Sequence, residues 1–229
     1  NNRAIRVITI CNSDHLAVWK LTSQLLPEFV KADDYFVYVP ENEVELFSRV
    51  SDPRISVRSQ SQLAHGYRAI LEQKILEANN ISRFGWYLQQ FFKLELVFDD
   101  DPKFDLTVIW DADCVPTRNI PILDTEGKLV YLSVANEFHG EYFTLIEKLL
   151  GMRKVVEMSF VIPGFPIFHR VAQNLRKELE KSFSQSEWYD ILIQNIDFKL
   201  RSGLSETELL CTWGTNAYPN SRLVLNGTW

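Results

Sequence analysis

Residues 111 to 113 of the chain, Asp-Ala-Asp, place two carboxylates one small residue apart at the end of an apolar run, FDLTVIW. In an extended chain residues two apart face the same side, so Asp111 and Asp113 can aim at one point. Two bare carboxylates repel each other, and a divalent cation relieves that repulsion. Hard oxygen donors suit Mg2+ or Mn2+ rather than a thiolate metal. The space beyond the carboxyl end of a strand is where open α/β sheets bind ligands. The plainer alternative is a turn in which one Asp caps the next segment and the other is solvated. The apolar strand before the pair, late in a βα series, favours a site.

Other polar residues could serve the same place. Gln89, Gln90 and Lys93 lie on the segment GWYLQQFFKLELVF, where the spacing puts Gln89 and Lys93 on one helix face. Lys93 could offset phosphate charge while a Gln bonds a sugar or base; otherwise this is a solvated face with aliphatic stems over the sheet. After the first apolar run comes CNSDH. Asn12 and Asp14 there are candidates for a nucleotide's base or ribose, and Asp14 serves equally as a helix cap. Trp86 and Tyr87 could stack on a base or sugar, with a core position as the default. NEFHGEYF (136–143) gathers Glu137, His139, Glu141 and Tyr142. It could face an acceptor, with His139 the strongest member, or simply open a helix with Glu141 favoured by the dipole. In SETE (205–208) Ser205 and Glu208 form a capping box, with Glu208 reaching back to the cap. Glu206 is not needed by that cap and is a candidate general base.

The elements that must hold these residues follow from periodicity. AIRVITIC (4–11) reads as a buried strand, followed by the helix HLAVWKLTSQLL bounded by Pro27. YFVYVP (35–40) and RISVRS (54–59) are strands separated by a short helix, ENEVELFSRV. Helical spacing recurs at 67–78 and 85–98, then DLTVIW (105–110) and KLVYLSVA (128–135) read as fourth and fifth strands. This alternation predicts a mostly parallel sheet covered on both faces. Helical patterns at 140–150, 170–181, 186–197 and 206–213 then surround one strand-like piece, MSFVI (158–162). The expectation is an α/β chain with a helix-rich C-terminal half: a single domain over 1–229, with a nucleotide-binding half at 1–135 and an acceptor-side half at 136–229.

The 229 residues are 46% apolar and 13% aromatic, enough for one compact core. A net charge of −6, from 30 acids and 24 bases, argues against nucleic acid or an anionic membrane as the main partner. Cys11, Cys114 and Cys211 lie about a hundred residues apart, which is neither a disulfide framework nor a zinc site and suggests a reducing, cytoplasmic compartment. No segment is long and apolar enough to span a bilayer.

Two enzyme classes carry D-x-D after an apolar strand. Phosphotransferases of the haloacid-dehalogenase type use it on their first strand with a downstream acidic pair; here three strands precede it and no such pair follows. Sugar transferases of the GT-A type use it late in the sheet to hold a metal against the diphosphate of a nucleotide sugar, neutralising the leaving group as the glycosidic bond breaks. Neither G-x-x-x-x-G-K-[ST] nor G-x-G-x-x-G is present. GWYLQQFFKLEL (85–96), IWDADCVPTRNI (109–120) and LSETELLCTW (204–213) together resemble a bacterial family assigned as glycosyltransferases around cell-envelope polysaccharide loci. Its members show G-W-Y-x-Q-Q-x-x-K-L, D-[AS]-D, S-F-[IV] and S-E-x-E blocks, and the likeness runs from about residue 5 to 215. One departure is IPGFPIFHR, where the family often has a His-containing stretch. The resemblance implies a GT-A fold in which Asp113 binds Mn2+ or Mg2+, Asp111 binds metal or ribose, and Lys93 meets the diphosphate of a nucleotide-sugar donor. The acceptor would be a hydroxyl of an envelope or capsular glycan, and a lipid-linked acceptor would bring the protein to the inner face of the plasma membrane. Glu206 would be the base of an inverting enzyme. A metal-dependent phosphoryl or nucleotidyl transferase and a non-catalytic glycan-binding domain remain open alternatives.

Overall fold

The computed structural model describes residues 3–99, 101–133, 139–157, 159–184 and 186–226. The chain begins with β1 (Ile5–Ile10), α1 (Leu16–Phe29), β2 (Asp34–Val39), α2 (Val44–Val50), β3 (Ile55–Ser59), α3 (Arg68–Glu77), α4 (Phe84–Phe98) and β4 (Leu106–Asp111). β5 (Leu129–Ser133), α5 (Gly140–Leu150), β6 (Phe165–Phe168), α6 (His169–Ser182), α7 (Trp188–Asn195), α8 (Glu206–Ala217) and β7 (Arg222–Asn226) follow. The central sheet has five strands in the order β3-β2-β1-β4-β6. β1 to β4 are parallel and β6 runs antiparallel to β4. The α/β expectation therefore holds: a mostly parallel sheet flanked by helices.

Strand order reverses between β1 and β4, where Ile10 lies in register with Asp111. The crevice beyond their carboxyl ends is the switch point at which such sheets bind ligands. Val7, Ile8, Val108 and Ile109 are buried on both faces, as parallel strands between helix layers must be. α4 is apolar all round and buries ten of its residues, Gln90 and Lys93 among them. A helix so enclosed belongs to the core, which makes those two polar side chains conspicuous.

Four local expectations are corrected. Pro27 lies inside α1 rather than bounding it. Proline lacks only its own donor, and the donors beyond it are intact: Val30 N–H reaches the Leu26 carbonyl at 2.9 Å. β5 does not join the central sheet; it pairs in parallel with β7, which the sequence reading did not identify. Residues 134 and 135 of the expected fifth strand lie outside the described residues. Of the strand expected at 158–162, residue 158 lies outside the described residues; the strand forms instead at Phe165–Phe168, and the Phe160 amide is taken by the Glu208 carboxylate at 2.8 Å. β6 tolerates Pro166 because it is the sheet's edge. Asp14 does not cap α1: it sits in a 3-10 turn and accepts the Asn12 amide at 3.1 Å.

β6 approaches β4 through Gly164, whose φ is +80°. A Cβ there would fall 2.4 Å from Cζ3 of Trp110, the residue before the acid pair. At the opposite end of β4, Arg6 donates to Thr107 Oγ1 at 2.9 Å and to the Leu96 carbonyl at 2.5 Å, with His169 Nε2 3.2 Å away. His169 thus belongs to a buried network at the foot of the sheet, remote from the switch point.

Candidate active site

A cleft of about 800 Å³ opens at the carboxyl ends of β1 and β4. One wall is a stripe of α4, Trp86, Gln89, Gln90 and Lys93; the other runs from Arg201 and Ser202 to Ser205, Glu206 and Thr207 at the start of α8. Asp111 and Asp113 line its floor, and His139, Glu141 and Tyr142 complete it. Glu137, grouped with them in the sequence, lies outside the described residues. Asp111 ends β4 and the chain then turns, with the Cys114 amide bonded to the Asp111 carbonyl at 3.1 Å. The two carboxylates therefore reach one cleft by a turn, not by strand alternation.

The charge balance is set by Lys93. Its Nζ lies 2.7 Å from Asp111 Oδ1 and 2.9 Å from Glu206 Oε1, with 6% of the side chain exposed. Burial pulls its pKa down, but the two carboxylates outweigh that and hold the ammonium above its ordinary value. Glu206 is consequently not the unengaged carboxylate expected from the capping pattern: it is buried and shared with Lys93. Gln90 is structural as well, its Oε1 accepting the Glu206 N–H at 3.3 Å and so fixing the start of α8 against α4. Half of the capping box forms, since Ser205 Oγ accepts the Glu208 N–H at 3.2 Å. The Glu208 carboxylate does not reach back; it pairs with Lys154 at 2.5 Å and with the Phe160 amide. Residues two apart on a helix diverge by about 200°, which sends Glu206 and Glu208 to different lysines.

Asp113 is exposed. The adjacent Cys114 thiol is pushed up to about 12 by burial and by Asp113 and Asp111, so it offers no thiolate. Among the described residues no group of three or more His, Cys, Asp or Glu side chains is placed to hold a metal ion. Two carboxylates suit Mg2+ or Mn2+ when phosphate oxygens and water complete the shell, which is how Mg2+ is commonly bound.

A smaller pocket of about 380 Å³ adjoins the cleft beyond Trp86 and Gln89, between β1 and α4. Its walls include Ile10, Pro40, Leu88, Phe92 and the Trp86 ring. Asn12 lines it with a buried Oδ1 that has no hydrogen-bond partner among the described residues, while Gln60 is committed to the Cys11 and Tyr38 carbonyls. Asp14 lines neither this pocket nor the cleft. Of the aromatic pair, Tyr87 is fully buried with its hydroxyl tied to Leu200 and Gly203, whereas Trp86 borders both cavities.

With a reversed strand order, a cleft at the switch point and helices on both faces, the architecture is GT-A-like. Mouse xyloside xylosyltransferase 1, in its apo form, matches over 99% of this chain and 86% of its own, with a TM-score of 0.51 and 11% identity. Looser matches include 4-diphosphocytidyl-2C-methyl-D-erythritol synthase from Anaerococcus prevotii DSM 20548 (TM-score 0.48, 10% identity, 99% of this chain and 88% of that one). Another is the PaToxG glycosyltransferase (0.46, 10%, 95% and 70%). At such identities the likeness is one of fold. Over residues 8–213 the chain belongs to DUF6492, a family of unknown function. No curated relative matches it.

Sequence reasoning passed over Arg83, Arg201 and the wall at Ser202. Arg83 could have been found by extending the helical stripe of Trp86, Gln90 and Lys93 back by three residues. Arg201 has no such signal, because it arrives on an irregular loop.

Proposed function

We propose that the chain transfers a sugar from a nucleoside diphosphate sugar to a hydroxyl of a glycan acceptor. The observation that carries this is the convergence of Asp111, Asp113, Lys93 and Glu206 on one cleft at the switch point of a GT-A-like sheet. Asp113 and Asp111 would hold Mg2+ or Mn2+, which would supply charge neutralisation to a departing diphosphate. Lys93 presents its ammonium beside them, and the Asp111 and Glu206 carboxylates keep it protonated and in place. The base would enter the pocket beside Asn12, where the unpartnered Oδ1 seeks an N–H donor and Trp86 offers a stacking face. Gln89, bordering both cavities, is positioned for ribose or sugar hydroxyls. Because Glu206 is engaged by Lys93, its part is to position that ammonium, and His139 takes the acceptor proton if the configuration inverts. An envelope or capsular glycan is the acceptor that the bacterial resemblance favours.

Thermal unfolding with UDP, GDP, CDP and ADP, each with and without Mn2+, tests the reading. One diphosphate with Mn2+ should stabilise the fold by roughly 2.7 kcal/mol at a hundredfold excess over its dissociation constant. Asp113→Ala should abolish that gain while leaving the melting temperature of the free protein near wild type. No stabilisation by any nucleotide would turn the reading towards a glycan-binding domain. Turnover that releases pyrophosphate in place of nucleoside diphosphate would turn it towards nucleotidyl transfer.

A further inference from the structure

The two walls of the cleft change character together along its length. Along the stripe of α4 that lines the cleft, Lys93 stands at one end and Arg83, at the N-cap, at the other, ten residues and roughly 15 Å of helix axis apart. Across the cleft Glu206 meets Lys93 at 2.9 Å, and the Arg201 carbonyl accepts from Arg83 Nε at 2.9 Å. The Asp111 end is therefore rich in carboxylates, whereas the opposite end carries the Arg83 guanidinium and is lined by Arg201. Neither Arg83 nor Arg201 has a carboxylate within 4.0 Å among the described residues. The Arg83 guanidinium is held 4.4 Å over the Trp86 ring, a stacking that preorganises its fork without consuming its Nη donors. The N-terminus of α4, a fifteen-residue helix, adds its positive end at the same place. In a protein of net charge −6 such a basic end, without a carboxylate partner among the described residues, stands apart from the bulk charge.

We propose that Arg83 and Arg201 form a subsite for an anionic group, phosphate or carboxylate, on the acceptor, with Trp86 serving there only to hold the Arg83 guanidinium. This rests on the glycosyl-transfer reading, in which the donor diphosphate belongs with Asp111, Asp113 and Lys93. An anion at the Arg83 end, about three helical turns along α4 from Lys93, is a second group beside that diphosphate. The transferred sugar and the accepting sugar fit between the two charged ends. The acceptor is thus an acidic saccharide or a sugar phosphate, not a neutral glycan.

The test is a set of binding titrations by ligand-observed NMR, using glucose 6-phosphate, glucuronate and glucose as probes, with and without UDP and Mn2+. The wild type should bind at least one anionic probe more tightly than glucose, with affinity falling as salt rises. Which of the two binds separates phosphate from carboxylate. Arg201→Gln should weaken that binding roughly tenfold or more, to the level of glucose, and leave the response to UDP and Mn2+ unchanged. Arg83→Gln should do the same with the loop still pinned by Asn80 and Tyr87. Equal binding of all three sugars, or no effect of Arg201→Gln, overturns the proposal. Loss of the UDP response in Arg201→Gln with sugar binding intact also overturns it, by assigning the arginines to the donor. Anionic-sugar binding without any UDP response in the wild type would retain the subsite and remove the transferase reading instead.

Discussion

Lys93 Nζ sits between Asp111 and Glu206 with almost no solvent contact, and the consequences of removing it follow from that placement. Lys93→Met leaves the Glu206 carboxylate buried without its counter-ion. Breaking a buried pair in this way costs roughly 3–5 kcal/mol, with the lower end expected because Asp111 keeps a third of its side chain in water. Urea denaturation would read the loss. The folded pKa of Lys93 is raised above its ordinary 10.5, so its contribution is complete below pH 10.5 and disappears as pH climbs through the folded value. Wild type should therefore lose stability in that alkaline window by more than Lys93→Met does. At the same scale, His139→Asn should remove most turnover while UDP and Mn2+ still bind; unchanged turnover would exclude His139 as the base.

Gly164 acts at the scale of the element. It joins β6 to the sheet at a left-handed φ and lets the chain pass directly over Trp110. Gly164→Ala meets both problems, a conformational cost of about 1–2 kcal/mol and a clash with a buried ring. A stability loss of about 3 kcal/mol or more is expected in urea melts. Because Trp110 precedes Asp111, weakened Mn2+-dependent nucleotide binding should accompany it. A variant as stable as wild type would mean that β6 has room to shift. α4 shows the related point for a helix: its apolar circumference made it legible as a core element, but the partner of Gln90 and one of the two carboxylates on Lys93 come from α8, more than a hundred residues later.

Across the whole molecule, acid stability reports on the buried cluster at the foot of the sheet. Burial, and then the Arg6 guanidinium, hold the His169 pKa below its ordinary 6.5, so the folded state keeps it neutral. Its contribution is present above pH 6.5 and is lost as pH falls from there towards the folded value, at about 1.4 kcal/mol for each pKa unit of difference. Urea melts at pH 7.5 and pH 5 should show a loss in wild type that is smaller in His169→Gln. An equal loss in both would assign the acid sensitivity to carboxylates elsewhere. Among the described residues no helix is long and apolar enough to cross a membrane. The exposed apolar side chains, such as Leu21, Leu76 and Val155, are scattered over different elements.

What the residues determined unaided was whatever depends on local pattern. β-branched and aromatic runs gave β1 to β4, helical patterns gave α1 to α8 with the end of α1 misplaced at Pro27, and the apolar run before Asp111 marked a strand terminus. Tertiary structure alone decided which charges meet. It paired Glu206 and Glu208 with different lysines, sent Gln90 to a backbone amide, and moved β5 out of the central sheet to β7. It also brought Arg201 from an irregular loop to Arg83. The physical reason is range: periodicity reports which face of an element is buried, whereas an ion pair forms between elements whose meeting is fixed by strand order and packing.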